Sequence, residues 1–242
     1  SVIHLFNLPL EFPKQVLQEA EKIQDKISEE ELKHRIDLRD EVCFTIDPED
    51  AKDFDDAVSL KKIDGDLYEL GIHIADVSHY VKSNSIIDTE ALNRGTSVYL
   101  ANEVVPMLPE KLSNNICSLI AKKDRMTYSV MIQITYKGEV KKYEISKSII
   151  NSNKRFSYEE VQQILDKGKG DYHIVLKEMY ALSQVLNKNR IMKGSIDFET
   201  SEVKFRYDQH GKPADIVKKV RLGAHRLVEE FMLLANRIVA EQ

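Results

Sequence analysis

The chain has 242 residues and a mass of 27.9 kDa, with 42% hydrophobic and 31% charged residues, 9 Gly, 6 Pro and no Trp. That composition excludes disordered, collagen-like and disulfide-scaffold classes, and it suits one large globular domain or two small ones. The net charge of −5 is held unevenly: Glu41 to Asp66 contains nine acidic and three basic residues, a net of −6, which leaves +1 for everything else.

In chain order, Val16, Leu17, Ala20, Ile23 and Ile27 recur at helical spacing after Pro13, and Ser28 with Glu31 forms a capping-box signal for a second short helix ending near Arg35. Residues 1–36 have no core of their own and read as a helical linker or arm packed on the rest of the chain. Val42 to Ile46 is a short β-rich run that ends at Asp47-Pro48, because Pro cannot continue a central strand. Ala57 to Lys61 and Leu67 to Ala75 form a hairpin about Asp64-Gly65-Asp66. Asp88 to Arg94 reads as helix, Thr96 to Leu100 as extended, and Pro106 and Pro109 punctuate an irregular stretch. Tyr128 to Tyr136 and Glu139 to Ile150 alternate about Lys137-Gly138 as a second hairpin. A helix opens at Ser157 with Glu160 three residues on, and Tyr172 to Met192 gives a longer one. Glu202 to Tyr207 and Pro213 to Val220 make a third hairpin, and Leu222 to Ala240 a closing helix. Hairpins interspersed with helices, and no repeated βαβ crossover, predict an α+β fold with a mixed, largely antiparallel sheet flanked by helices.

Cys43 and Cys117 sit among apolar residues and form no CxxC pair, so they read as buried thiols of a reducing, cytoplasmic setting. Ser1 to Phe12 lacks a leader's basic-then-apolar order, and no apolar run approaches the ~18 residues a membrane span needs. A first residue other than Met, and a last helix without a stop signal, read as a piece of a longer chain. His73 and His79 lack helical metal-ligand spacing and read as structural. Lys137, Lys141, Lys142, Lys147, Lys154 and Arg155 outnumber Glu139 and Glu144, a stripe that suits either a phosphate backbone or a solvated hairpin face.

The acidic segment carries the chemistry. Asp47, Asp53, Asp55 and Asp56 bracket a turn between two strands, where several carboxylates can fold toward one point. Such hard oxygen ligands suit Mg²⁺, with Mn²⁺ as an alternative, and one or two ions there would serve phosphodiester hydrolysis. An EF-hand is excluded, since no start in the segment gives both Gly at position six and a carboxylate at position twelve. Asp53-Phe54-Asp55 also resembles the nucleophile–acid pair of aspartate-based phosphohydrolases, although Asp50-Ala51-Lys52 rather than an apolar strand precedes it. A solvated acidic loop is the bland alternative, against which stand Phe54 within the loop and apolar strands on both sides.

Asp37-Leu38-Arg39-Asp40 and Thr45-Ile46-Asp47 through Asp53-Phe54-Asp55-Asp56-Ala57 resemble the ribonuclease II / ribonuclease R family in its RNB catalytic domain. The resemblance continues through His73 to Ser78, Asn93 to Tyr99, Pro106 to Pro109, Leu112 to Asn114, Cys117 to Leu119, and Val228 to Asn236. The spelling of Arg94 to Tyr99 leans toward ribonuclease R. It implies that 37–242 is the N-terminal part of an RNB domain, in a Mg²⁺-dependent 3′→5′ exoribonuclease that hydrolyses single-stranded RNA to 5′-nucleoside monophosphates. The four family aspartates fall on Asp47, Asp53, Asp55 and Asp56. Base-clamping aromatics fall on Tyr99, Tyr158 and Phe198, where stacking would contribute roughly 1–3 kcal/mol per base without regard to sequence. Glu229 and Glu230 are adjacent on an apolar helix, and the family suggests an active-site role for one of them. The family also has cold-shock-type domains before this region, an S1-type domain after it, and a later RNB segment with an assisting arginine. Without that arginine, this stretch is expected to turn over poorly by itself. A non-catalytic RNA- or metal-binding module is the alternative of a different class.

Overall fold

A computed structural model describes residues 2–100, 103–196, 203–207, 213–218 and 220–242. The elements are α1 (Val2–Leu5), α2 (Lys14–Lys22), α3 (Glu29–Lys33), β1 (Ile36–Leu38), β2 (Cys43–Asp47), β3 (Asp56–Asp64), β4 (Leu67–Ala75), α4 (Val77–Tyr80) and α5 (Ile86–Arg94). Next in the chain are β5 (Val98–Tyr99), β6 (Val104–Val105), a π-helical turn at Leu112–Ile116, β7 (Asp124–Thr135), β8 (Val140–Asn151), β9 (Lys154–Ser157), α6 (Tyr158–Lys167) and α7 (His173–Met192). The chain closes with β10 (Val203–Tyr207), β11 (Pro213–Lys218) and α8 (Gly223–Ala240).

Seven strands form one sheet in the order β1-β8-β7-β4-β3-β2-β9. The four inner pairings are antiparallel, and β1 on β8 and β9 on β2 are parallel. The expected α+β class with a mixed, largely antiparallel sheet is what the chain adopts. Both long hairpins turn at glycines with positive φ, Gly65 at 51° and Gly138 at 79°, a backbone state that a side chain disfavours. Ser28 and Ser157 cap α3 and α6 as their spacing with Glu31 and Glu160 predicts, and Ser157 completes a reciprocal capping box. The two parallel outer strands are not legible as strands in the sequence, since each is three or four residues long and is defined by a distant partner.

Alternation sorts the strand side chains. Phe44, Ile46, Val58 and Leu60 enter the main core beneath α6, α7 and α8, while Cys43 and Ala57 face a smaller cluster with Leu119 and Ile150. The third hairpin forms as β10 on β11, with its His210-Gly211 turn outside the described residues. In the N-terminal segment, Val16 and Ala20 are buried with Ile87, Leu112, Ile116 and Cys117. Arg35, with no exposed side-chain surface, donates to Asp76 at 2.6 Å and to Glu31 at 2.8 Å, pinning the arm beside the sheet. His73 has the structural role expected of it: it is fully buried between the Ser59 and Ser129 hydroxyls, and burial lowers its pKa to about 4. Among the described residues no helix is long and apolar enough to cross a membrane.

Candidate active site

β2 ends at Asp47, β3 begins at Asp56, and residues 48–55 join them without regular structure. The loop is tied from two sides. Phe54 N–H donates to Ser118 Oγ at 3.0 Å, Leu119 N–H donates to the Phe54 carbonyl at 2.8 Å, and Ser118 Oγ donates to the Lys52 carbonyl at 3.2 Å. Fixing the Phe54 backbone on both its polar groups sets the directions of its neighbours Asp53 and Asp55. On the other side, Arg155 Nη2 donates to the carbonyls of Pro48 at 2.5 Å and Glu49 at 2.8 Å. Sequence reasoning misses both braces: Ser118 lies in a family-like stretch without an assigned role, and Arg155 lies in the basic stripe.

Asp47, Asp53 and Asp55 line a cleft of about 640 Å³ whose facing wall includes Ser97, Tyr99 and Asn114. Asp56 does not line it. Its place on β3 shares the alternation of Val58 and Leu60, so it backs the cleft from the helix side. Burial raises the Asp47 pKa to about 7, opposed by Thr45 and Arg155 and reinforced by the charges of Asp56 and Asp55, and among the described residues Asp47 Oδ2 is buried without a hydrogen-bond partner. Burial and then the Asp55 charge raise Asp56 to about 6, and Asp55 is raised by burial and by Asp53. These are carboxylates crowded out of water, with Arg155 the positive charge that partly offsets the effect at Asp47. Among the described residues no three His, Cys, Asp or Glu side chains converge as a preformed metal cage. The orphaned Asp47 oxygen and the all-carboxylate donor set nevertheless fit a hard divalent cation, with Asp47, Asp53, Asp55 and Asp56 as the residues able to hold it.

Tyr99, on β5, is 63% exposed, and its hydroxyl donates to Asp53 Oδ2 at 2.7 Å. Its open ring therefore stands over the cleft. Tyr158 takes a different place: its ring is half-buried and stacks on His225 with centroids 4.0 Å apart, near enough to Asp47 and Asp56 for their charges to raise its pKa in addition to burial. Phe198 lies outside the described residues. Glu230 is 3% exposed, accepts from Asn187 at 2.8 Å and pairs with Arg190 at 2.7 Å. Asn189, one residue before Arg190, donates to the Lys137 carbonyl at the β7–β8 turn, so Glu230 belongs to the sheet end remote from the aspartates. Glu229 is more open and pairs with Arg221. The basic stripe is not one surface: Lys141 pairs with Glu139, Lys154 with Asp171, and Arg155 turns to the acidic loop.

The RNB domain family matches residues 35–242. The chain is 47% identical to ribonuclease R of Thermotoga maritima, covering all of this chain and 35% of that protein. Its fold is similar to Mycoplasma genitalium RNase R in complex with ribose-methylated single-stranded RNA, with a TM-score of 0.92, 34% identity, and coverage of 99% of this chain and 38% of that one. The same enzyme in complex with double-stranded RNA also gives 0.92, at 35% identity over 99% of this chain and 43% of that one. The chain thus spans about a third of the length of the curated relatives it matches. With the aspartate loop, its strand frame and nearly the whole of the chain matched, this protein belongs to the ribonuclease II / ribonuclease R family of RNB-domain proteins.

Proposed function

We propose that this chain supplies the carboxylate half of the active site of a 3′→5′ exoribonuclease, which hydrolyses single-stranded RNA to 5′-nucleoside monophosphates with Mg²⁺, or with Mn²⁺ in its place. The observation that carries the reading is one cleft onto which Asp47, Asp53 and Asp55 open while Tyr99 stands across from them. A bound divalent cation would supply Lewis-acid polarisation of the phosphate and a reactive hydroxide. The protein's part is to keep four carboxylates at a fixed spacing, to limit the water around them, and to offer the Tyr99 ring to any base. Sequence-blind stacking suits an enzyme that has to pass every nucleotide. The two ties on the aspartate loop, one at its start and one at its later half, serve that spacing. The two free, buried cysteines suit a reducing cytoplasm.

In the full-length protein, Asp55→Asn is expected to lower Mg²⁺-stimulated mononucleotide release by about 100-fold or more, in line with removal of one electrostatic contact to the transition state. Undiminished release would leave the non-catalytic binding module as the better reading. An aspartate-based phosphohydrolase is disfavoured by local structure, because Asp53 sits in an irregular loop and not at the end of an apolar strand.

A further inference from the structure

We propose that Arg155 is a positioning residue for the aspartate loop: it fixes the segment that leaves Asp47 against β9, and so sets the spacing between Asp47 and the Asp53–Asp55 pair. The inference rests on those carboxylates being the cation-binding set of the proposed exoribonuclease. The parallel register of β9 on β2 places Arg155 opposite Thr45 and Ser157 opposite Asp47. From there Nη2 reaches the two carbonyls that come after Asp47, those of Pro48 at 2.5 Å and Glu49 at 2.8 Å. The same guanidinium carbon lies 5.6 Å from the ring centroid of Phe54, the residue between Asp53 and Asp55. One side chain therefore touches both ends of the loop.

The remaining ties act on a different part. Ser118 and Leu119 hold Lys52 and the Phe54 backbone, the later half of the loop. Without Arg155, the Pro48–Glu49 end would rest on the local turn in which Ala51 N–H donates to the Pro48 carbonyl at 3.0 Å. Its neighbour Lys154 is no substitute, since it pairs with Asp171. Arginine suits the role for its shape: Nη2 bonds both carbonyls while the planar guanidinium lies over the Phe54 ring, whereas an ammonium offers a compact point charge with no flat face to stack. Displacement of a supporting contact by about 1 Å can cost on the order of 100-fold in a reaction that needs aligned groups, which makes a brace of this kind consequential.

The test is backbone amide hydrogen exchange, with a calorimetric Mn²⁺ titration, on this chain as wild type, Arg155→Met and Arg155→Lys. The expected result is exchange about tenfold or more faster at residues 49–54 in Arg155→Met with β4 and β7 unchanged, and Mn²⁺ affinity lower by roughly tenfold. Arg155→Lys should recover little of either, because it restores the charge without the planar group that bonds the carbonyls and lies over Phe54 together; it also carries both readings if Arg155→Met does not fold. Wild-type exchange at 49–54 in a variant that keeps its β4 and β7 protection overturns the positioning role, with or without metal. A wild-type chain that binds no Mn²⁺ would instead overturn the cation reading on which the inference stands.

Discussion

Burial holds a proton on Asp47 at a pH where an exposed aspartate has lost it. Its folded pKa is near 7, against about 3.9 for an unperturbed aspartate. Between those values the folded chain binds a proton that the unfolded chain has released, so its stability falls as pH rises from about 4 to 7 and is flat above. Asp56, at about 6, adds to the same fall. Asp47→Asn is therefore expected to stabilise the metal-free chain at pH 7.5 by about 2 kcal/mol, or roughly 4–8 °C in melting temperature, and to flatten the pH dependence. Thermal melts between about pH 4.5 and 8 check this, and saturating Mg²⁺ should remove most of the wild-type fall. The identity of these residues is legible in sequence because charge density and spacing are local properties. The division that leaves Asp56 behind the cleft is not, since it depends on where β3 begins.

At the scale of elements, α8 separates two glutamates that are adjacent in sequence. Both cannot occupy one face, and the packing of α8 on α7 decides which enters: Glu230 is buried against Asn187 and Arg190, and Glu229 stays at the rim with Arg221. Removing one partner of a buried pair strands the other charge, whereas a rim pair contributes little. Glu230→Ala should cost about 2–3 kcal/mol in denaturant unfolding, and Glu229→Ala less than about 1 kcal/mol. Neither should change Mn²⁺ binding, which the same titration reads directly. The apolar periodicity of α8 predicts its existence and bounds, but a helix carries no mark of which neighbour its stripe will meet.

At the scale of the whole molecule, the arm is part of the cleft's support. Arg94 donates to the carbonyls of Pro9 at 2.8 Å, Glu11 at 2.7 Å and Pro106 at 3.1 Å, and lies 3.7 Å from the Phe12 ring centroid. It thereby joins the arm to the wall that carries Tyr99. Val16 and Ala20 also cover Cys117, while Cys43 lies in a separate cluster. Deleting residues 1–26 should therefore uncover one thiol. Cys117 is expected to react with an aromatic disulfide reagent while Cys43 stays protected, and loss of the Val16 contact alone should destabilise the chain by about 1.5–3 kcal/mol. Two reactive thiols would mean global unfolding, and none would mean that the arm does not cover that cluster.

By itself the sequence determined what depends on neighbours a few residues apart. The hairpin turns at Gly65 and Gly138, the caps at Ser28 and Ser157, the β-rich run of β2, and the four aspartates crowded about one loop all come from local sterics, hydrogen bonding and charge. Tertiary structure decided what no local rule contains. It recruited β1 and β9 to the sheet through parallel partners far along the chain, stacked Tyr158 on His225, turned Glu230 inward, and brought Arg155 and Ser118 to brace the loop from opposite sides. The physical reason is that burial and pairing are properties of two surfaces meeting, and each strand or helix encodes only its own.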